Sequence, residues 1–302
     1  MMSRPIAYSG EPGAFAEDAV IAAFGDAERS GLAGFRAVFE AVTAATARAG
    51  VVPIESLVGG TVREVYDLLL EFELGIVGEV VVPVELCLAA LPGERLEDVE
   101  RVYSHVQALG QAEAFLRTRA WTTLTTYNTA GAGKIIRDTG ELGAAAVLSP
   151  RAAALFGLEV LADEIQGASD NRTRFLVVAR EGQVSVGAGT GAGAAAAGAG
   201  AGAAAAREPA PGPRRTTVAF AVRNEPGTLL RALQSFAARG VNLSSLESRP
   251  SRTAAWEYVF WADVDADAAD PACAAALVDL RAASTMVRVL GSYPRAAEGI
   301  SG

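Results

Sequence analysis

Four stretches of this chain set small and polar residues directly after a short apolar run and directly before a helical pattern. They are Ser9-Gly10-Glu11-Pro12-Gly13, Glu55-Ser56-Leu57-Val58-Gly59-Gly60-Thr61, Ser104-His105-Val106-Gln107 and Asn128-Thr129-Ala130-Gly131. A helix that opens on such residues offers unpaired backbone N–H groups and the positive end of its dipole, which together attract an anion. In open α/β sheets ligands bind outside the carboxyl ends of the strands. The four stretches therefore predict a cleft for a small anionic ligand.

The elements that must position them alternate. Apolar runs at 6–8, 51–54, 76–82, 86–91, 101–103, 145–148 and 175–179 read as strands. Between them, Phe15, Ala19 and Ala23 share a helical face, as do Val62, Val65, Tyr66 and Leu69, and Ala108, Ala112 and Phe115. This is α/β alternation. A smaller C-terminal part reads strand 217–222, helix 228–238, strand 241–247, strand 257–264, helix 272–282, strand 287–290. Leu229, Leu233, Phe236 and Ala237 form the apolar face of its first helix. The order βαββαβ is the ferredoxin-like motif.

The 302 residues suit about two domains. Residues 187–206 are almost pure Ala and Gly, and 208–213 add three prolines, so 182–214 reads as a flexible linker. The domains are then 1–181 and 215–297. A net charge of −9 argues against a nucleic-acid partner. Mean hydropathy is +0.26, inflated by alanine, and the best membrane-span candidate, 76–91, is interrupted by Glu79, Pro83 and Glu85. Residues 1–8 leave no room for a signal peptide. Cys87 and Cys273, far apart, form neither a metal spacing nor a disulfide framework, and His105 is the lone histidine. The expectation is a cytoplasmic protein without a metal or a membrane partner.

Several strings carry a family resemblance. Asn171-Arg172-Thr173-Arg174-Phe175 resembles the T-R-F signature of prephenate dehydratases, and Val52-Pro53-Ile54-Glu55 their V-P-I-E-N segment. Tyr103-Ser104-His105 with Gln107 and Gln111 resembles S-H-P-Q-x-x-x-Q, and Glu11-Pro12-Gly13 with Phe15 the N-terminal glycine loop. Asn224-Glu225-Pro226-Gly227-Thr228-Leu229 and Glu247-Ser248-Arg249-Pro250 resemble the phenylalanine-sensing motifs of an ACT domain, and Val289-Leu290-Gly291-Ser292-Tyr293-Pro294 its close. The resemblance spans nearly the whole chain outside the linker.

The resemblance implies a two-lobed catalytic domain like a periplasmic binding protein, followed by a ferredoxin-like ACT domain. It implies conversion of prephenate to phenylpyruvate, water and carbon dioxide in phenylalanine biosynthesis, without a cofactor. It also implies L-phenylalanine as effector and a homodimer or homotetramer built through both domains. Prephenate loses a carboxylate and a hydroxyl and gains an aromatic ring, so the enzyme must hold two anionic groups and help hydroxide leave. By the resemblance Thr173 is the hydrogen-bond donor, with Ser104, Gln111 and Glu55 beside it in catalysis. Ser56, Arg174, Phe175, His105, Asn128 and Thr129 bind substrate. Asn224, Pro226, Gly227, Leu229, Glu247, Ser248 and Arg249 bind the effector.

Each role has a plainer counterpart. Ser104 is also placed to cap a helix, and His105 to pack or cap. Strand alternation turns Arg172 and Arg174 away from Thr173, so Arg174 reaches a ligand only if the strand start is irregular, and Arg172 is expected at the surface. Lys134 offsets substrate charge or is solvated. The chain departs from the family pattern at Ser56, where the family has Asn, at Val106, where it has Pro, at Asn128, where an acid is usual, and at Ala14, where it often has Thr or Ser. These departures keep two alternatives open: a non-aromatising prephenate decarboxylase, and a catalytically silent sensor of an aromatic ligand.

Overall fold

The computed structural model describes residues 4–182, 212–251 and 258–296. Apart from its two ends, the expected linker lies outside the described residues. The chain divides into two compact units, Met1–Glu73 with Val80–Arg180, and Leu74–Glu79 with Glu181–Gly302.

The first unit opens with β1 (Ile6–Ser9), α1 (Phe15–Phe24), β2 (Arg29–Leu32), α2 (Phe35–Thr43), β3 (Ala49–Ser56), β4 (Gly60–Thr61), α3 (Arg63–Glu71) and the end of β5 (Gly75–Pro83), whose residues 75–79 belong to the second unit. It continues through β6 (Cys87–Ala90), β7 (Arg101–Ser104), α4 (Val106–Gln111), α5 (Glu113–Leu116), β8 (Thr122–Thr125), α6 (Thr129–Thr139), β9 (Ala144–Leu148), α7 (Pro150–Phe156) and β10 (Glu159–Ala162), then returns as β11 (Arg172–Ala179). One sheet has the order β2-β1-β3-β11-β5, with β4 on β3, and the other β10-β6-β9-β7-β8. The chain crosses between the sheets twice, after β5 and before β11, so each sheet is the centre of one lobe.

The buried runs become the central strands. In the second sheet, Leu86, Leu88 and Ala90 enter one core cluster while Cys87 and Ala89 enter the cluster on the opposite face. A sheet covered on both sides needs apolar residues at every position, which explains the unbroken run. Burial there pushes the Cys87 thiol up to about 12. The strands that no apolar run announces, β2 and β10, lie at sheet edges and are half-buried or exposed. Two expected helices differ in detail, although Ala108, Ala112 and Phe115 do pack into one core cluster. Alpha1 buries Ala16, Glu17, Ala19 and Val20 rather than a Phe15–Ala19–Ala23 stripe. The helix expected across Ala108, Ala112 and Phe115 breaks at Ala112 into α4 and α5.

The second unit contains β12 (Arg214–Ala221), α8 (Thr228–Ala237), β13 (Leu243–Pro250), β14 (Tyr258–Val264), α9 (Pro271–Ala283) and β15 (Met286–Pro294). Its sheet runs β13-β14-β12-β15 with every neighbouring pair antiparallel, the ferredoxin-like arrangement. Phe220, Phe236, Leu277 and Leu280 centre its core. Ala237, expected in that core, is exposed, because Ala232, Ser235 and Phe236 turn the buried face the other way.

Residues Leu74–Glu79 also belong to this unit. The Glu79 carboxylate accepts from Arg215 Nη1 at 2.7 Å and from Ala296 N at 2.9 Å, with side-chain exposures of only 1% and 9% for Glu79 and Arg215. Gly291 lies flat against this segment, and a Cβ there would stand 2.0 Å from the Ile76 carbonyl oxygen. Backbone cannot yield as a side chain can, so Gly291→Ala should destabilise the unit by about 1–3 kcal/mol. Urea unfolding followed by tryptophan fluorescence measures this, and an unchanged midpoint would show that the contact is not needed. No helix among the described residues is long and apolar enough to cross a membrane.

Candidate active site

Antiparallel pairing brings the start of β11 to the carboxyl end of β3. Thr173 lies opposite Ser56 and Arg174 opposite Glu55, and the register shifts immediately after Arg174. A bulge of this kind re-aims a side chain, which is the irregularity that Arg174 needs. The Arg174 guanidinium, 13% exposed, donates to the Glu55 carboxylate at 3.1 Å. Arg172 pairs instead with Asp170 at 2.6 Å. Thr173 is half-buried, and its hydroxyl makes no hydrogen bond among the described residues. Phe175, expected to touch substrate, is 2% exposed beyond the bulge and packs in the core.

The Glu55–Thr61 stretch is not a strand opening straight into a helix. Beta3 continues through Ser56 and folds back as β4, with Glu55 opposite Thr61 and Ser56 opposite Gly60. The buried Ser56 Oγ accepts from Gly59 N at 3.2 Å and so closes the turn. Expected as a substrate ligand, Ser56 is first of all the clasp of this hairpin. The hairpin tip meets the other lobe, where a Cβ on Gly59 would lie 1.9 Å from Gln107 Nε2.

Across that contact stand Ser104, His105 and Gln111. Ser104 is fully buried, and its hydroxyl donates to Val147 O at 2.6 Å. Its single proton is used there, so it can only accept from a ligand. The helix cap expected of Ser104 falls to His105, whose Nδ1 accepts from Gln107 N at 3.4 Å. That leaves the neutral ring's proton on Nε2. Gln111 ends α4, half-buried, with a side-chain amide unbonded among the described residues.

The third wall is the start of α6. Asn128 caps it, Oδ1 accepting from Gly131 N at 3.1 Å, and Thr129 is its first residue. The N–H groups of Thr129 and Ala130 have no intrahelical acceptor and suit a carboxylate. Asparagine caps as well as aspartate does and adds no negative charge beside such a ligand. Gly10 packs against this cap, and a Cβ there would lie 2.8 Å from Asn128 Nδ2. Glu11, from the first lobe, accepts from Tyr127 Oη at 3.1 Å and from Lys134 Nζ at 3.3 Å. Lys134 thus pairs with Glu11 while its side chain stays 40% exposed. Burial raises the Tyr127 phenol, and Glu11 raises it further. Nothing in a linear pattern announces the cross-lobe contacts of Glu11 and Gln107.

A second cross-lobe tie lies behind this loop. Glu17 accepts from Gly13 N at 2.7 Å, from Arg29 Nε at 2.8 Å and from Arg151 Nη2 at 2.7 Å. Burial would raise its carboxyl, but these hydrogen bonds outweigh it and hold the group below its ordinary 4.5. A lowered carboxyl stabilises the fold above its unfolded value and loses that contribution as pH falls through the folded one. Neighbouring Asp18 moves the other way, raised by burial in spite of Arg151. The melting-temperature gap between wild type and Glu17→Gln should therefore close as pH is taken from neutral to below 4.5. A gap that persists in acid would contradict this.

In the second unit both expected effector strings reach one end of the sheet. Ala221 of β12 and Arg249 of β13 each pair with Val259, one on either side of β14. They are therefore about 10 Å apart. Gly227, at φ +80°, precedes α8, and Thr228 Oγ1 donates to Arg223 O at 2.6 Å to tie the turn. Asn224 and Pro226 are exposed and Leu229 is half-buried. Glu247 and Arg249 are half-buried, with Ser248 exposed between them.

A family model for prephenate dehydratase matches residues 6–183, and one for the ACT domain matches 216–282. The chain is 34% identical over 303 residues to arogenate dehydratase/prephenate dehydratase 1, chloroplastic, of Arabidopsis thaliana, covering 96% of this chain and 71% of that one. A solved prephenate dehydratase in complex with L-Phe, from Arthrobacter aurescens, superposes with TM-score 0.80 at 33% identity, covering 97% of this chain and 90% of that one. A solved protein described as a novel type of quorum quenching acylase superposes with TM-score 0.81 at 31% identity, covering 97% and 99%.

Proposed function

The chain belongs to the prephenate dehydratase family and carries a C-terminal ACT domain, and from that premise we propose a decarboxylating dehydration centred on Thr173. One bond, between the ring carbon and its carboxylate, breaks and releases carbon dioxide. Its electron pair completes the aromatic ring and expels the ring hydroxyl, which leaves as water after gaining a proton. The observation that carries the reading is the Thr173 hydroxyl, unbonded among the described residues, at the carboxyl end of β3 and next to the Glu55–Arg174 pair. In this account Thr173 donates to the departing oxygen, and Arg174, Thr129 N–H and Lys134 hold carboxylates. Ser104 and Ser56 orient the walls, while His105 Nε2–H and Gln111 contribute neutral hydrogen bonds. The second unit binds L-phenylalanine at the Asn224–Leu229 turn and Glu247–Arg249 and lowers the rate.

We place the enzyme in the cytoplasm as a homodimer or homotetramer. The buried, free thiols of Cys87 and Cys273 suit a reducing compartment. The outer strand β13 of the four-stranded sheet suits a second copy.

Parallel assays with prephenate and with arogenate, its amino counterpart, test this reading. Aromatic product from prephenate, formed more slowly when L-phenylalanine is added, is the expected result. Cleavage of an acyl amide with no turnover of either acid would move the chain to its acylase likeness.

A further inference from the structure

Asn171 stands two residues before Thr173. The residue is 3% exposed, and its Nδ2 and Oδ1 are buried with no hydrogen-bond partner among the described residues. Folded proteins rarely leave a buried carboxamide unpaired, and where one persists it calls for a reason. The main chain already fixes this position: Asn171 O accepts from Val84 N at 2.8 Å, and Arg172 O from Leu57 N at 2.9 Å. The side chain therefore adds nothing to the bonds that hold the strand start in place.

Its direction follows from the strand. Side chains alternate along an extended chain, so Asn171 and Thr173 share one face, and the bulge that re-aims Arg174 lies beyond both. Two steps along a strand cover about 6.6 Å, so one small molecule can meet both side chains. The amide also suits the ligand, because it offers two N–H donors with no charge of its own.

We infer that Asn171 is a further substrate-binding residue of this site, its Nδ2–H donated to a substrate oxygen beside the one that Thr173 serves. The identity of the substrate rests on the function proposed above. The unpaired amide is then the unliganded half of a binding contact, kept at a cost to stability.

This cost makes the test sharp. Asn171→Leu, close in shape and apolar, and Asn171→Asp are made in the full chain. Melting temperature, prephenate kcat/KM and the prephenate-induced rise in melting temperature are then measured. Asn171→Leu should melt at or above wild type while kcat/KM falls about 10–10³-fold, the loss typical of an oriented donor. Asn171→Asp should fall further, because it sets a carboxylate against a dianion. Wild-type kcat/KM in the leucine variant would overturn the inference. So would a melting temperature that falls together with activity, the mark of an amide that serves the fold. If the wild type does not turn over prephenate, the proposed function fails. The inference is then judged on the thermal shift alone: it stands if prephenate raises the melting point of wild type but not of Asn171→Leu, and falls otherwise.

Discussion

Thr173→Ala lowers kcat for prephenate by about 10²–10⁴-fold, the span that a positioned proton or hydrogen-bond donor contributes. The melting temperature barely moves. Thr173 is held by the β3–β11 ladder opposite Ser56, which needs only its backbone. Its hydroxyl is unbonded among the described residues, so its removal orphans no buried partner there. Thr173→Ser keeps the hydroxyl but loses the stiff β-branched rotamer, and should recover most of the rate. Single-turnover kinetics separate this loss from changes in binding or product release. An alanine variant at full rate would remove Thr173 from the chemistry.

Arg174→Met raises KM for prephenate by about 10–10²-fold, in line with the loss of a charged hydrogen bond. In the protein without substrate the guanidinium donates to Glu55, and the bulge after Arg174 turns it toward the site. A substrate carboxylate competes for the same fork of donors. Lysine keeps the charge without the fork, so Arg174→Lys should restore only part of the affinity. Steady-state kinetics on the three proteins decide this. An unchanged KM in the methionine variant would confine Arg174 to holding Glu55.

Much of this was legible in the sequence. Cores leave apolar runs and site loops leave small polar residues at strand ends, so the central strands and the helix starts at Ser104-His105 and Asn128 follow from residue types alone. Edge strands β2 and β10 leave little such trace, because four residues with no buried position are too few and too mixed to show a period. The β3–β4 hairpin was hidden for another reason, since two residues of β4 are too few to show a period. Side-chain roles were the least legible. That Ser104 spends its proton on Val147 depends on a neighbouring strand 43 positions away. Glu11 meets Lys134 only after the chain has crossed into its second lobe. The unpaired amide of Asn171 is likewise a property of its packing, and the residue string alone does not reveal it.

The departures at Ser56, Val106 and Asn128 fit the observed geometry. Ser56 closes a hairpin, Val106 follows a histidine cap, and Asn128 caps α6 without adding charge. None of the three removes the Thr173 hydroxyl or the Arg174 fork.

The most direct test of the account is the stoichiometry of products from the wild-type enzyme and prephenate at neutral pH. Carbon dioxide is trapped and phenylpyruvate is quantified by its absorbance in alkali. The two should form in equal amounts for each prephenate consumed. Carbon dioxide released with a non-aromatic ring acid would contradict it and identify a decarboxylase that leaves the hydroxyl in place. Prephenate bound but not consumed would contradict it as well and identify a sensor.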